Sequence, residues 1–285
     1  KYSKLIWYFK LSKIMAKIAL LFSGQIRDIN PRLFNEGLRT FTKYHTTDIY
    51  LSYWDTAGKS GNHSRKILEN NQIKNFDIKK YLKIAFKGYD IKKEKIVKVK
   101  DWEHAENSEI KEINNNKNFH FTTVNSAKQL FQIYNSYLLL DNPAEYDFIV
   151  RCRFDNVFVF TFSPELNNSD NYLANINFGN AFRDDRVYDI FFYTKSSISY
   201  QIFTSWLKFA EYVRYPFDNL LDPRDAGRIL YLAAILNNIK VKSVDIRYCD
   251  VFRRQRKFGY FIDLIKWGLV STNTKKNYIL KKYSL

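Results

Sequence analysis

The chain has 285 residues, 46 Lys+Arg against 29 Asp+Glu for a formal net charge of +17, and 46% apolar residues. That balance is too apolar for a disordered chain, and nine glycines with five prolines exclude collagen-like and linker-rich architectures. Two cysteines, Cys152 and Cys249, are too few for a disulfide scaffold or a four-ligand zinc site, so a soluble protein of a reducing compartment is expected.

Residues 1–14 scatter lysines among apolar residues, and MAKIALLFSG, beginning at Met15, reads like a protein start. The first 14 residues are therefore expected to be a basic extension with no catalytic part. KIALLF (17–22) is a short apolar run that predicts a buried strand, ending in a turn at Ser23-Gly24. Leu33, Phe34, Gly37, Leu38 and Phe41 then recur at helical spacing behind the start signal Asn30-Pro31, predicting a helix over 28–44. A second strand follows at 47–54, and this alternation predicts an α/β fold with a mainly parallel central sheet.

Residues 56–118 are polar and rich in Lys, Asn and Glu. Within them, KIVKVK (95–100) alternates like an edge strand, and 104–118 reads as an exposed loop. A helix is predicted over 126–140, capped by Ser126 or Asn125 and stopped by Asp141-Asn142-Pro143. YDFIVRCRF (146–154) is the strongest strand in the chain. Short strands at 171–174 and 190–193, helices at 198–212 and 225–237, a strand at 241–246 and a last helix at 258–269 complete the prediction. No internal repeat is present, and a single domain over 15–250 with a basic amphipathic segment over 251–285 is expected.

Charge is unevenly placed. Residues 74–100 carry ten lysines against Asp77, Asp90 and Glu94, and residues 251–285 carry nine basic residues against Asp263. Phe258, Phe261, Ile262, Ile265 and Leu269 lie at helical spacing among those C-terminal cations, a pattern suited to an anionic membrane surface or to packing on the core with solvated lysines. Nucleic acid is the other standard partner of a basic chain, but no zinc-finger spacing, aromatic RNA-binding motif or Gly-rich clamp is present, so it is disfavoured.

The chemistry-bearing segment is the strongest strand. In YDFIVRCRFDN, alternation sends Ile149, Arg151, Arg153 and Asp155 to one face and Val150, Cys152 and Phe154 to the other. Buried guanidinium and carboxylate groups are costly unless paired or bound to a ligand, and the carboxyl ends of strands are where open α/β sheets bind ligands. A structural Arg–Asp pair at the strand end is the competing explanation. The turn Ser23-Gly24-Gln25-Ile26-Arg27 offers Gln25 and Arg27 to a nucleotide, though it matches neither a Walker A loop nor a dinucleotide fingerprint. The four histidines lack metal-ligand spacing.

The ordered set FSGQIRD, DIYLSYWDT, the Gln-bearing helix AKQLFQIYNSYLLL, YDFIVRCRFD and VYDIFFY resembles bacterial glycosyltransferases of lipopolysaccharide and capsule gene clusters. The resemblance spans residues 16–254. It implies a GT-A-like (Rossmann-like) nucleotide-sugar-binding domain and transfer of a sugar from a UDP- or GDP-linked donor to a lipid-linked surface glycan. It also implies a cytoplasmic location, peripheral on the inner face of the cell membrane. In that family an Asp-x-Asp metal motif stands where this chain has Arg153-x-Asp155. Asp155 is therefore the metal or diphosphate-proximal candidate, with a manganese or magnesium ion in question because Arg153 replaces the first acid. Arg151 and Arg153 become phosphate and sugar contacts, Ser23, Gly24, Gln25 and Arg27 nucleotide contacts, and Asp189 a general base or acceptor-side acid. Asp184 and Asp185 compete with Asp189, whose loop also reads as solvated charge, and Trp54 and Tyr193 are candidates to stack on rings. The alternative is a non-catalytic basic module binding anionic membrane or nucleic acid.

Overall fold

The computed structural model describes residues 15–27, 29–58, 76–98, 102, 122–158, 161–164, 171–176, 187–215, 226–244 and 248–250. In chain order the strands are β1 (Lys17–Arg27), β2 (Thr46–Gly58), β3 (Ile91–Val97), β4 (Phe148–Cys152), β5 (Asn156–Phe158), β6 (Tyr172–Ile176), β7 (Phe191–Lys195), β8 (Lys240–Val244) and β9 (Tyr248–Asp250). The helices are α1 (Pro31–Thr42), α2 (Ile78–Ala85), α3 (Thr122–Tyr137), α4 (Ser199–Phe203), α5 (Phe209–Arg214) and α6 (Ala226–Leu236). Seven strands form one sheet in the order β3-β2-β1-β4-β7-β6-β8, all parallel except β7. β5 and β9 pair antiparallel as a separate ribbon. The expected α/β class with a mainly parallel sheet is what the chain adopts.

Helices cover both faces, so the inner strands are largely apolar on both sides rather than alternating. Ile18, Leu20, Phe22, Val150 and Cys152 point into one core with Phe34, Leu38 and Phe41 of α1 and Tyr81, Leu82 and Ala85 of α2. Ala19, Leu21 and Ile149 point into the other, beneath α3 and α6. The alternation expected along 149–154 therefore holds, with Ile149 on one side and Val150, Cys152 and Phe154 on the other. Much of the high aromatic content goes into packing. Phe22 meets Phe86, Phe34 and Phe154 at ring-centroid distances of 5.1, 5.6 and 5.8 Å, each buried ring contributing about 1.5–3 kcal/mol.

Local chemistry explains the element ends. Asn30 caps α1 by accepting from the backbone N–H groups of Arg32 and Leu33 at 3.0 and 3.2 Å, with Pro31 at the first helical position. Asp77 caps α2 in the same way. α3 begins at Thr122, so Ser126 is not its cap; the Ser126 hydroxyl instead accepts from the backbone N–H of Ala226 at 3.0 Å, capping α6. The expected helix at 198–212 is broken into α4, a 3-10 turn and α5. The edge strand lies at Ile91–Val97, earlier than expected. α2 was not expected at all. The predicted helix at 258–269 and the loop at 104–118 lie outside the described residues.

Candidate functional site

β1 lies between β2 and β4: the chain steps outward through β2 and β3 on one side, then resumes on the other side at β4. This reversal is a topological switch point, the place where open α/β sheets bind ligands beyond the carboxyl ends of their strands. The carboxyl ends of β1 and β4 carry the two motifs selected from sequence, and the fold brings them together.

β1 and β4 stay in register only to the pair Phe22–Cys152, where β4 stops, while β1 runs on against β2 to Arg27. The turn expected at Ser23-Gly24 is instead an irregularity within a continuing strand. Gly24 takes φ +118°, and the β1–β2 register shifts between Gly24 and Ile26. A bulge in a strand re-aims the side chains that follow it, here Gln25 and Arg27. A Cβ on Gly24 would meet nothing within 4 Å, so glycine is required by backbone conformation and not by crowding. The Ser23 hydroxyl and Gln25 Oε1 are buried and have no hydrogen-bond partner among the described residues.

Arg151 is 1% exposed. Its Nη1 donates to the carbonyl of Ile190 at 2.8 Å and its Nη2 to the carbonyl of Ser23 at 3.2 Å, while Nε has no partner among the described residues. Burial pulls its guanidinium pKa down to about 10, opposed chiefly by the negative charge of Asp189. Arg153, with a side chain 24% exposed, donates to Asp155 Oδ2 at 2.5 Å, and the Asp155 side chain is 3% exposed. Burial pushes the Asp155 carboxyl upward, but Arg153, Arg27 and Arg151 outweigh it and hold the group below the usual carboxylate range. Asp155 Oδ1 is buried without a hydrogen-bond partner among the described residues.

Asp189 sits in the turn that leads into β7, close enough to Arg151 to be the main charge favouring its ionisation. The next residue's carbonyl, that of Ile190, also accepts from Asn156 Nδ2 at 3.0 Å. The structure thus gathers Arg27, Arg151, Arg153, Asp155 and Asp189 into one electrostatic cluster at the switch point. Asp184 and Asp185 lie outside the described residues.

Two buried polar side chains near these strand ends were not selected from sequence. Asn156 is fully buried, fixes the Ile190 carbonyl and leaves its Oδ1 without a partner among the described residues. Gln132 of α3, also fully buried, accepts from the Ser52 hydroxyl at 2.7 Å beside β1, and its Nε2 is likewise unpartnered among the described residues. The signal for Gln132 was a polar residue on the apolar stripe of a helix; Asn156 gave none beyond adjacency to Asp155. Tyr193, expected to stack on a ligand ring, is instead core: it is 3% exposed and meets Phe162 and Phe148 at centroid distances of 5.0 and 5.7 Å. Trp54 is half-buried and lies parallel to Phe131 at 6.3 Å. His45 is structural, bonding the carbonyl of Phe162 and the backbone N–H of Ala16.

Among the described residues the donor set does not form a divalent-ion site. Among the described residues no three His, Cys, Asp or Glu side chains converge, and Asp155, the metal candidate, faces three guanidinium groups. The guanidinium groups gathered here are of the kind that pairs with anionic oxygens.

Fold and site together define an α/β protein with a cluster of arginine and aspartate side chains at the switch point of its sheet. Comparison of the sequence with models of known protein families and with curated proteins finds no match. Among the described residues no helix is long and apolar enough to cross a membrane.

Proposed function

We propose that the chain is a GT-A-like glycosyltransferase that moves a sugar from a UDP- or GDP-linked donor to a lipid-linked surface glycan of the lipopolysaccharide or capsule type. The observation that carries this reading is the meeting of the β1 and β4 ends, which sets Arg27, Arg151 and Arg153 around Asp155 where an α/β sheet binds ligands. A nucleotide sugar presents a diphosphate, and planar guanidinium groups match its oxygens.

In the reaction the bond from the anomeric carbon to the diphosphate oxygen breaks as an acceptor hydroxyl oxygen bonds to that carbon. Negative charge grows on the leaving diphosphate, where pre-placed cations lower the barrier most. Arg27 and Arg153 are the diphosphate contacts. Arg151, whose terminal nitrogens already hold the carbonyls of Ser23 and Ile190, adds its charge from beneath. The backbone of Ser23 and Gly24 and the side chain of Gln25 line the nucleotide side. Asp155 Oδ1 is an acceptor for a donor hydroxyl, and Asp189 takes the proton of the attacking hydroxyl where the displacement inverts the anomeric centre.

The inner membrane face is the proposed location, supported by exposed lysines such as Lys79, Lys83, Lys87 and Lys93 on α2, its C-terminal turn and β3. The test is a thermal-shift panel of nucleotides and nucleotide sugars followed by donor-hydrolysis assays. Stabilisation by UDP or GDP is expected, because a ligand at 100 times its Kd adds about 2.7 kcal/mol. A flat panel, with binding to DNA or anionic vesicles that fades steeply with salt, overturns the reading.

A further inference from the structure

We propose that Gln132 reads the nucleobase of the bound nucleotide, its Nε2 donating to a ring carbonyl oxygen of a uracil or guanine base seated over the carboxyl ends of β1 and β2. The inference rests on the transferase reading and names the residue of that same site that selects among nucleotides.

Helix α3 packs across β1 and β2, and Gln132 on it is fully buried. The Ser52 hydroxyl on β2 donates to Oε1 at 2.7 Å and so fixes the amide, while Nε2, with its two N–H donors, has no partner among the described residues. In the parallel β1–β2 register Ser52 stands opposite Ser23, whose buried hydroxyl is also without a partner among the described residues. Two residues further along β1, the buried Gln25 Oε1 is in the same position. Buried donors and acceptors are nearly always bonded, so three unused ones on neighbouring elements mark a place where something else completes them. That place is the carboxyl end of two adjoining strands beside the switch point, where such sheets bind ligands.

The surroundings suit a planar ring. Trp54, two residues beyond Ser52 and on the same face of β2, is half-buried and lies along Phe131, the residue before Gln132, with ring centroids 6.3 Å apart. Stacking on an indole tolerates every base, so the choice among bases falls to hydrogen bonds at the ring edge. Uracil and guanine each set a carbonyl beside a ring N–H, whereas adenine has no carbonyl. Gln132 Nε2 answers the carbonyl and Gln25 Oε1 the N–H. The strand order β2-β1-β4 then lays the nucleotide across the sheet, with the base over β1 and β2 and the diphosphate toward the end of β4, one strand spacing of about 4.8 Å away.

Titration calorimetry with UDP, GDP and ADP on the full chain tests the inference. The native chain is expected to bind UDP or GDP about tenfold or more tightly than ADP. Gln132→Met keeps the length of the side chain and removes its donors. It is expected to narrow that preference by about tenfold, weakening UDP or GDP while sparing ADP. A purely structural glutamine would lower the urea midpoint and leave the ratio of Kd values where it was. Should Gln132→Met fail to fold, Ser52→Ala releases the amide without deleting it and is expected to narrow the same ratio in part. A ratio unchanged in the folded variant, as when a trapped water completes Nε2, overturns the base-reading role and leaves the transferase reading in place. Equal binding of all three nucleotides by the native chain does the same. Absence of both UDP and GDP binding sinks the two together.

Discussion

Arg151 reaches from β4 to the carbonyl of Ser23 on β1, 3.2 Å away, at the level where the two strands have just parted. A side chain thus takes over from the backbone ladder and ties the two strand ends across the switch point. Because the guanidinium is 1% exposed, its bonds are made out of contact with water. Arg151→Met removes a buried donor from the carbonyls of Ser23 and Ile190, the second of which keeps Asn156, and removes a cation that interacts with Asp189. A loss of about 3 kcal/mol is expected, read as a lower urea midpoint with unchanged slope. Arg151→Lys recovers part of this, since one ammonium cannot match the fork that serves two carbonyls.

Asn156 shares the carbonyl of Ile190 with Arg151 and so helps fix the turn that carries Asp189. Asn156→Ala is expected to cost about 1–2 kcal/mol of stability. If Asp189 acts as the base, the same change lowers kcat of sugar transfer by about tenfold while nucleotide affinity stays within about twofold. An equal loss in both quantities would place Asn156 in the nucleotide contact instead.

The backbone of Gly24, at φ +118°, lies in a region that side chains with a Cβ rarely enter. Since the space around it is open, Gly24→Ala isolates the conformational cost, expected at about 1–3 kcal/mol in equilibrium unfolding. The substitution also disturbs the bulge that aims Gln25 and Arg27, so nucleotide affinity falls with it.

Asp155 makes stability depend on acid. Its carboxyl is held below the ordinary range in the folded chain, against an unfolded value of about 3.9. The unfolded state therefore takes up the proton first, and the stability this group provides is present above about pH 4 and lost as pH falls toward the folded pKa. In urea titrations between about pH 6 and pH 3, the midpoint difference between the native chain and Asp155→Asn narrows as pH drops. A difference that stays constant across that range contradicts the assignment.

Ser126 caps α6 from a neighbouring helix. Ser126→Ala leaves the Ala226 N–H without that acceptor and is expected to cost about 1 kcal/mol, with Ser126→Thr restoring part of it. Hydrogen exchange of the first turn of α6 reports the local loss.

Where apolar residues followed one clear period, the sequence was a sufficient guide. β1, α1 and β4 are legible because IALLF and FIV are uniformly apolar and the α1 stripe sits behind Asn30-Pro31. α2 had a readable stripe too, Ile78, Tyr81, Leu82 and Ala85, but five lysines within and around it made the whole stretch look like solvated surface. The extent of β1 was misread because glycine after an apolar run signals a turn, whereas here it carries a bulge inside a strand. For the site, the alternation of Arg151, Arg153 and Asp155 was visible, as was the acid at 189. The convergence of the two was not, since it depends on β7 entering the sheet beside β4. Tyr193 failed as a stacking candidate for the same reason: β7 has sheet neighbours on both sides, and its aromatic side chain is core.

At the far side of the sheet, β3 ends the array with five consecutive exposed positions, Lys92, Lys93, Glu94, Lys95 and Ile96, four of them charged. An incoming strand from another molecule would have to bring its own backbone alongside these charged side chains, of which Lys92 is paired with Asp90 and Lys93 with Asp141. Charged edges of this kind oppose edge-to-edge pairing, so neutralising Lys93 and Lys95 together is expected to show first as turbidity.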